Sequence, residues 1–301
     1  MNFSGRAFSG QTEAAVQRQA DAGGAAWYLY GITRALTPDA LRQAVATAQD
    51  AVMPGAGSAP VQAFVRGKIA AIVRTVSLAD FEPDALRERL DDLAWLEAMA
   101  RAHNAVIAAI HERQVILPAK FGSVYVSRDD LGAALDADQQ RLLGELRRLH
   151  DCDEWAIHLY ADRATIEHQV ADEDSDLRRL RDEIAEARPG RAYFLQRKLD
   201  GEVSAAVDDA LAERARGVVD RLRPFTRDVV LQATVHARSG SDGDEAEILR
   251  AALLIERTNR EGAFHAFQSG IDTQVGLRGE CSGPWPPYSF VTQPEASQHE
   301  P

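Results

Sequence analysis

The sequence predicts an α+β protein of two domains, each running in a β-α-β-β-α-β-like order, with an extended tail after the second. Three observations predict it. Short runs rich in β-branched and aromatic residues alternate with long stretches whose apolar residues fall three and four apart. The order of those runs in the N-terminal half recurs in the C-terminal half, where it reads as the ferredoxin-like split βαβ. The length of 301 residues, 45% of them hydrophobic, suffices for two cores of ordinary size. The expected organisation is a flexible arm over 1–26, domains over 27–151 and 152–282, and a proline- and aromatic-rich tail over 283–301, disordered at its end.

Trp27-Tyr-Leu-Tyr-Gly-Ile32 is aromatic enough for a first strand. Thr37 and Pro38 then open a helix to about Asp50, with threonine as cap and proline in the first turn. Val61–Val65 and Ile69–Val76 flank Arg66-Gly67-Lys68 and form a hairpin. From about Asp84 to Arg113, Leu86, Leu90, Leu93, Leu96, Ala100, Ile107 and Ile110 make one stripe with His103 in its gap, which predicts a long helix. Pro118 interrupts an extended segment over 115–126, and a helix follows over about 128–150.

In the second half Glu154–Tyr160 alternates as a half-buried strand should. An acidic stretch, 171–176, leads into a helix to about 187, which Pro189-Gly190 ends. A helix over about 191–223 carries Leu195, Leu199, Val203, Val207, Leu211, Val218 and Leu222 on one face. Strands over 229–235 and 251–256, a helix over about 259–270 and a strand over 275–281 complete the order, with a mobile connection over 239–245.

With 46 acidic and 34 basic side chains the net charge is −12, which disfavours general nucleic-acid binding and adhesion to anionic membranes. No apolar run approaches a membrane span, and the start lacks the apolar core of a secretory signal. Cys152 and Cys281 form no C-x-x-C pair, so a reducing, cytoplasmic setting fits. If first and last strands of the second half lie side by side, the two thiols are near neighbours and reduced.

The search for catalytic spacings finds little. Asp172, Asp174, Asp176 and Glu183 match calcium-loop ligand positions, but Leu177 stands where glycine must turn, so a solvated acidic turn is expected. His103 has no histidine four residues away and reads as a hydrogen-bonded core residue; His111-Glu112 lacks the second histidine of a zinc-protease helix. GAGSAP has neither a phosphate-loop lysine nor the dinucleotide glycine order, and no G-x-S-x-G occurs. No cofactor, metal or catalytic residue is therefore expected.

The stretch SGPWPPYSFV (282–291) cannot be helical and yet is strongly apolar, so it must dock. Trp285, Tyr288 and Phe290 either staple it onto the protein itself, back across the first domain, or grip a partner.

Three blocks resemble the gas vesicle protein L/F family: LPAKFGSVY (117–125), EWAIHLY (154–160) and GPWPPYSF (283–290). Tyr28-Leu-Tyr-Gly-Ile32, His103 and Ala192-Tyr193-Phe194 fill further family positions, so the resemblance spans about 27–291. It marks His103, Pro118, Lys120, Phe121, Gly122, Glu154, Trp155, Tyr193, Gly283, Pro284, Trp285, Pro286, Pro287, Tyr288 and Phe290 as structural or partner-binding positions. Lys120 stands where the family usually has arginine, which loses a planar two-pronged donor. Ser123 replaces a usual threonine, and Asn104 the glutamate that commonly follows the histidine. The resemblance implies a non-enzymatic accessory protein of gas vesicle formation, cytoplasmic or on the vesicle, binding the apolar shell subunit and other accessory proteins. Two alternatives stay open. One is a small-molecule enzyme or sensor with a His103 pocket. The other is nucleic-acid binding by the sheet, disfavoured because AALLIE is apolar and acidic.

Overall fold

The computed structural model describes residues 24–35, 59–81, 91–233 and 245–292, with positions 43, 46, 53 and 89. Its elements are β1 (Ala25–Arg34), β2 (Val61–Arg66), β3 (Ile69–Ser77), α1 (Leu93–His111), β4 (Ile116–Pro118), β5 (Val124–Tyr125), α2 (Arg128–Arg148), β6 (Cys152–Asp162), α3 (Arg163–Glu173), α4 (Ser175–Glu186), α5 (Pro189–Leu222), β7 (Thr226–Gln232), β8 (Glu245–Glu256), α6 (Arg260–Asp272) and β9 (Leu277–Trp285). Helices and antiparallel strands together make an α+β protein. Its contacts divide it into two compact units, 1–152 with 285–301, and 153–284.

In unit 1 the sheet order is β2-β3-β1-β4, with β5 also paired to β1. Arg66 pairs with Ile69, so the hairpin turn is only Gly67-Lys68 and Arg66 belongs to the strand. Tyr28, Tyr30, Ile72 and Val76 pack on Met99, Val106, Ile107 and Ile110 of α1. Because neighbouring strand residues point to opposite faces, the buried Leu29, Ala71 and Val73 form the other face, along which α2 runs. This sheet is covered on both sides.

In unit 2 the order is β7-β8-β6-β9, the same pattern in chain order. Trp155, Ile157 and Leu159 of β6 and Leu253 and Ile255 of β8 pack on Val218 and Leu222 of α5 and Phe267 of α6. The first half of α5 leaves the sheet. There Leu199, Val203, Val207 and Leu211 meet Ile166 of α3 and Leu177 and Leu180 of α4. The opposite face of the sheet carries His158, Tyr160, Glu247, Arg250, Arg278 and Glu280 in a charged ladder.

Several expectations change. The stripe from Asp84 cannot be one helix through Asp92, whose backbone is extended (φ −86°, ψ 95°) and whose carboxylate caps Ala94 and Trp95 at 3.0 and 3.1 Å. Leu93 at the first turn is consequently exposed; Leu86 and Leu90 lie outside the described residues, as do most of the helix expected over 38–50, where only 43 and 46 are described and both are helical, and most of the 1–26 arm. The first strand begins at Ala25, inside that expected arm.

The helix α3 was absent from the sequence reading. Asp162 caps it, accepting from Ala164 and Thr165 at 3.1 and 3.2 Å. Asp174 caps α4 in the same way, from within the acidic stretch. Pro189 starts α5 as its first residue, where its missing N–H costs no bond. β8 starts six residues earlier than expected, at Glu245, while 234–244 lie outside the described residues.

β9 does not stop at Cys281. It runs on through Gly283 and Pro284 to Trp285, and as an edge strand it tolerates proline. Gly276 accepts from Asp162 at 2.8 Å and Gly283 lies against Glu154 and Trp155, which sets Cys281 beside Ile157. Five residues along β6 separate that point from Cys152, about 16 Å at strand rise. The expected thiol neighbours are therefore apart. Neither cysteine forms a disulfide, and burial pushes the Cys281 thiol up to about 11.

Candidate functional site

The positions singled out in the sequence gather at three places. The first is inside unit 1. His103 is 2% exposed on α1, among the rings of Tyr28, Tyr30 and Phe121. Its Nδ1 lies 2.9 Å from the Tyr28 hydroxyl, which itself accepts the Gly122 N–H at 3.3 Å. The hydroxyl proton is thus free for Nδ1, and the imidazole proton falls to Nε2, which makes no hydrogen bond among the described residues. Burial holds His103 down at about 4, only partly opposed by Ala119. Burial also pushes Tyr28 above the phenol range and Tyr30 up to about 12. All three rings are neutral near pH 7.

This relay ties the 117–125 segment to α1. Pro118 sits buried in β4 opposite Gly31, Phe121 packs edge-on against His103, and Gly122 takes φ +81°, a conformation that favours glycine. The Lys120 carbonyl closes the turn by accepting the Ser123 N–H at 3.1 Å and hydroxyl at 2.7 Å. Its ammonium is exposed and pairs with no carboxylate among the described residues.

The second place is the tail on unit 1. Pro286, Pro287 and Phe290 are buried. Tyr288 donates its hydroxyl to Asn104 at 2.9 Å, beside His103 on α1. From α2, Arg148 donates to the Phe290 carbonyl and Arg141 to the Thr292 carbonyl at 3.1 Å. Trp285, expected as an anchor, is 49% exposed.

The third place is unit 2. Trp155 meets Phe264 edge-on with centroids 4.7 Å apart, and Glu154 is buried beside it. A Cβ on Gly283 would fall 2.7 Å from the Trp155 ring and 2.9 Å from the Glu154 carbonyl, so the strand closes on the indole only with glycine there. Pro284 follows in β9. Tyr193 stands apart from these, 61% exposed near the start of α5, with Phe194 as its ring partner at 5.8 Å.

Two arrangements escaped the sequence reading. His158 Nδ1 lies 2.7 Å from the buried Glu247 carboxylate, which Arg250 grips with two bonds of 3.1 and 3.0 Å. The α3, α4 and α5 helices also enclose a groove of about 610 Å³. The Asp162 cap was the available signal for α3, and hence for the groove. Among the described residues no cluster suits a metal ion, and no helix is long and apolar enough to cross a membrane.

Residues 26–292 match the family described as gas vesicle synthesis protein GvpL/GvpF. Gas vesicle protein L of Streptomyces sp. (strain CB03234) is 32% identical over 91% of this chain and 95% of its own length. Gas vesicle protein F of the same organism is 29% identical over 88% and 98%. Among solved structures, gas vesicle protein GvpF of Anabaena sp. PCC7120 matches with a TM-score of 0.66 at 16% identity, covering 90% of this chain and all of that one. GvpF of Microcystis aeruginosa matches with a TM-score of 0.59. The family match over residues 26–292 and the identity to gas vesicle protein L over 91% of the chain agree, and the chain belongs to the GvpL/GvpF family of gas vesicle synthesis proteins.

Proposed function

We propose that this chain is a non-catalytic accessory protein of gas vesicle assembly, working in the cytoplasm or on the vesicle by binding the apolar shell subunit and other accessory proteins. The observation that carries this reading is the match of residues 26–292 to a family described by gas vesicle synthesis. The use of the motif residues supports it. His103 bonds to a phenol inside a core, with no carboxylate partner among the described residues to tune it as acid or base. Pro286, Pro287 and Phe290 serve packing. The repeated 2-3-1-4 strand order supports a ferredoxin-like arrangement in each unit. In such a factor the net charge of −12 keeps a complex with a greasy cargo dispersed.

The test is deletion from a vesicle-forming host together with capture of the co-expressed shell subunit at low and high salt. Loss of buoyancy and capture at either salt are expected. A deletion strain with normal vesicles, or no capture at either salt, ends the proposal.

A further inference from the structure

Between Phe194 and Ala212 the helix α5 shows two different faces. One carries Leu199, Val203, Val207 and Leu211, packed on α3 and α4. The other carries Phe194, Lys198, Gly201, Ala205, Asp208 and Ala212, all exposed and spaced four, three, four, three and four. That alternation holds side chains on one line along a helix, and it is the spacing by which two helices pack side by side. The row covers about five turns, about 27 Å.

The row reads as the same chemistry from either end, with the sign of charge exchanged. From Phe194 come an apolar residue, a cation and a small residue; toward Ala212 come a small residue, an anion and an apolar residue. Phe194 is 74% exposed, and a Cβ on Gly201 would meet nothing within 4 Å. Arg197 and Asp209 stand beside the row, equally far from its midpoint, and both are exposed. Neither has an ionic partner among the described residues. Lys198 reaches only Glu202, at 3.5 Å. Asp208 holds Arg163 at 2.8 Å and still leaves 63% of its side chain exposed.

We propose that this face of α5 pairs with the same face of a second copy of the chain, the two helices running antiparallel about a two-fold axis between Gly201 and Ala205. Turning the row end for end sets Phe194 on Ala212, Lys198 on Asp208, Arg197 on Asp209 and Gly201 on Ala205, each contact made twice. The unspent guanidinium and carboxylate of each copy meet their opposites in the other. The phenyl ring gains a methyl to cover it, and the small residues at the midpoint let the two axes come close. The charges also fix the direction. A parallel pair would set Lys198 on Lys198 and Asp208 on Asp208. The same charges argue against other occupants. Two cations and two anions cancel along the row, so a nucleic acid or an anionic lipid surface finds no basic footprint there. An unrelated protein would have to match by chance the charge order that a second copy supplies by symmetry. The inference does not depend on the accessory-protein reading.

The test is sedimentation velocity of the full chain over a concentration series. The variants alter Arg197 and Asp209, whose exposed side chains make no ion pair among the described residues, so the melting temperature should not move. The parent is expected to form a reversible dimer with a Kd on the order of 10–100 µM, as suits a contact of one helix from each copy. Arg197→Asp and Asp209→Arg each oppose like charges twice and should each weaken the dimer about tenfold. The chain carrying both changes should dimerise again. So should an equimolar mixture of the two single variants, because only the antiparallel pair brings position 197 to position 209. A parent that stays monomeric, a dimer that neither single variant weakens, or failure of either rescue overturns the proposal. Capture of the shell subunit by a monomeric parent, lost in Phe194→Ser, would give the row to that subunit and overturn the second copy as its occupant.

Discussion

The two sheets share a strand order and treat their polar residues in opposite ways. The unit 1 sheet is covered on both faces, and its polar relay, Gly122 N–H to Tyr28 to His103, lies in the core. The unit 2 sheet packs its helices on one face, and its histidine relay, His158 to Glu247 to Arg250, lies on the other. Each histidine is bonded through Nδ1, at 2.9 and 2.7 Å, yet one is a neutral packing group and the other part of a charged ladder. Strand order does not decide where polarity goes. The covering helices do, because a charge sealed beneath them is costly, whereas Glu247 keeps its charge beside the part-exposed His158 and Arg250.

The sharpest way to break this comparison is through the tail, which the division assigns to unit 1. Phe290→Ala empties a buried site and should cost unit 1 about 3–4 kcal/mol. Amide exchange should accelerate in β1–β3 and stay unchanged in β6–β9; equal loss in both would dissolve the distinction between units.

Acid should act next, through His103. With His103 at about 4 in the fold and 6.5 when unfolded, the unfolded chain binds a proton that unit 1 refuses between those values. This contribution is fully present above about pH 6.5 and is lost as pH falls toward 4, by about 3 kcal/mol. Urea midpoints at pH 7.5 and 4.5 should show that slope in the parent and not in His103→Gln.

Tyr28→Phe removes the hydroxyl between His103 and Gly122 and leaves both without it, at an expected cost of about 2 kcal/mol to unit 1. The histidine Nδ1 chemical shift and exchange at Gly122 should move together; an unmoved Gly122 would disprove the relay.

The smallest effect belongs to the charged ladder of unit 2. Burial works against the Glu247 carboxylate, but the Arg250 and His158 bonds outweigh it and hold it below its ordinary range. Its contribution is present above the ordinary carboxylate value and lost as pH falls through the lowered one. Glu247→Gln should cost about 1 kcal/mol, because Arg250 and His158 can turn to water.

Much of this was legible because local chemistry announced it. The aromatic run of β1, the Gly67 turn and the aliphatic face of α5 follow short-range rules that no packing overrode. The tail's docking across the first domain followed from its composition, and its individual partners did not, since Asn104, Arg141 and Arg148 are far from it in sequence. The end of β9 was missed because glycine and proline read as punctuation, whereas Gly283 is there for its closeness to Trp155. α3 was missed because its apolar residues make no clear stripe, and the groove went with it. The Glu247 network was invisible because β6 and β8 are brought together only by the sheet.

The division of the chain has a temporal consequence. Residues 285–292 close onto a unit whose other strands come from the first half of the polypeptide. A ribosome must therefore finish the whole of the intervening unit before the earlier one receives its last buried ring. During synthesis the first-made unit waits, with the ground later covered by Phe290 and the two prolines open to chaperones, and its completion reports that translation has run through to the end of β9.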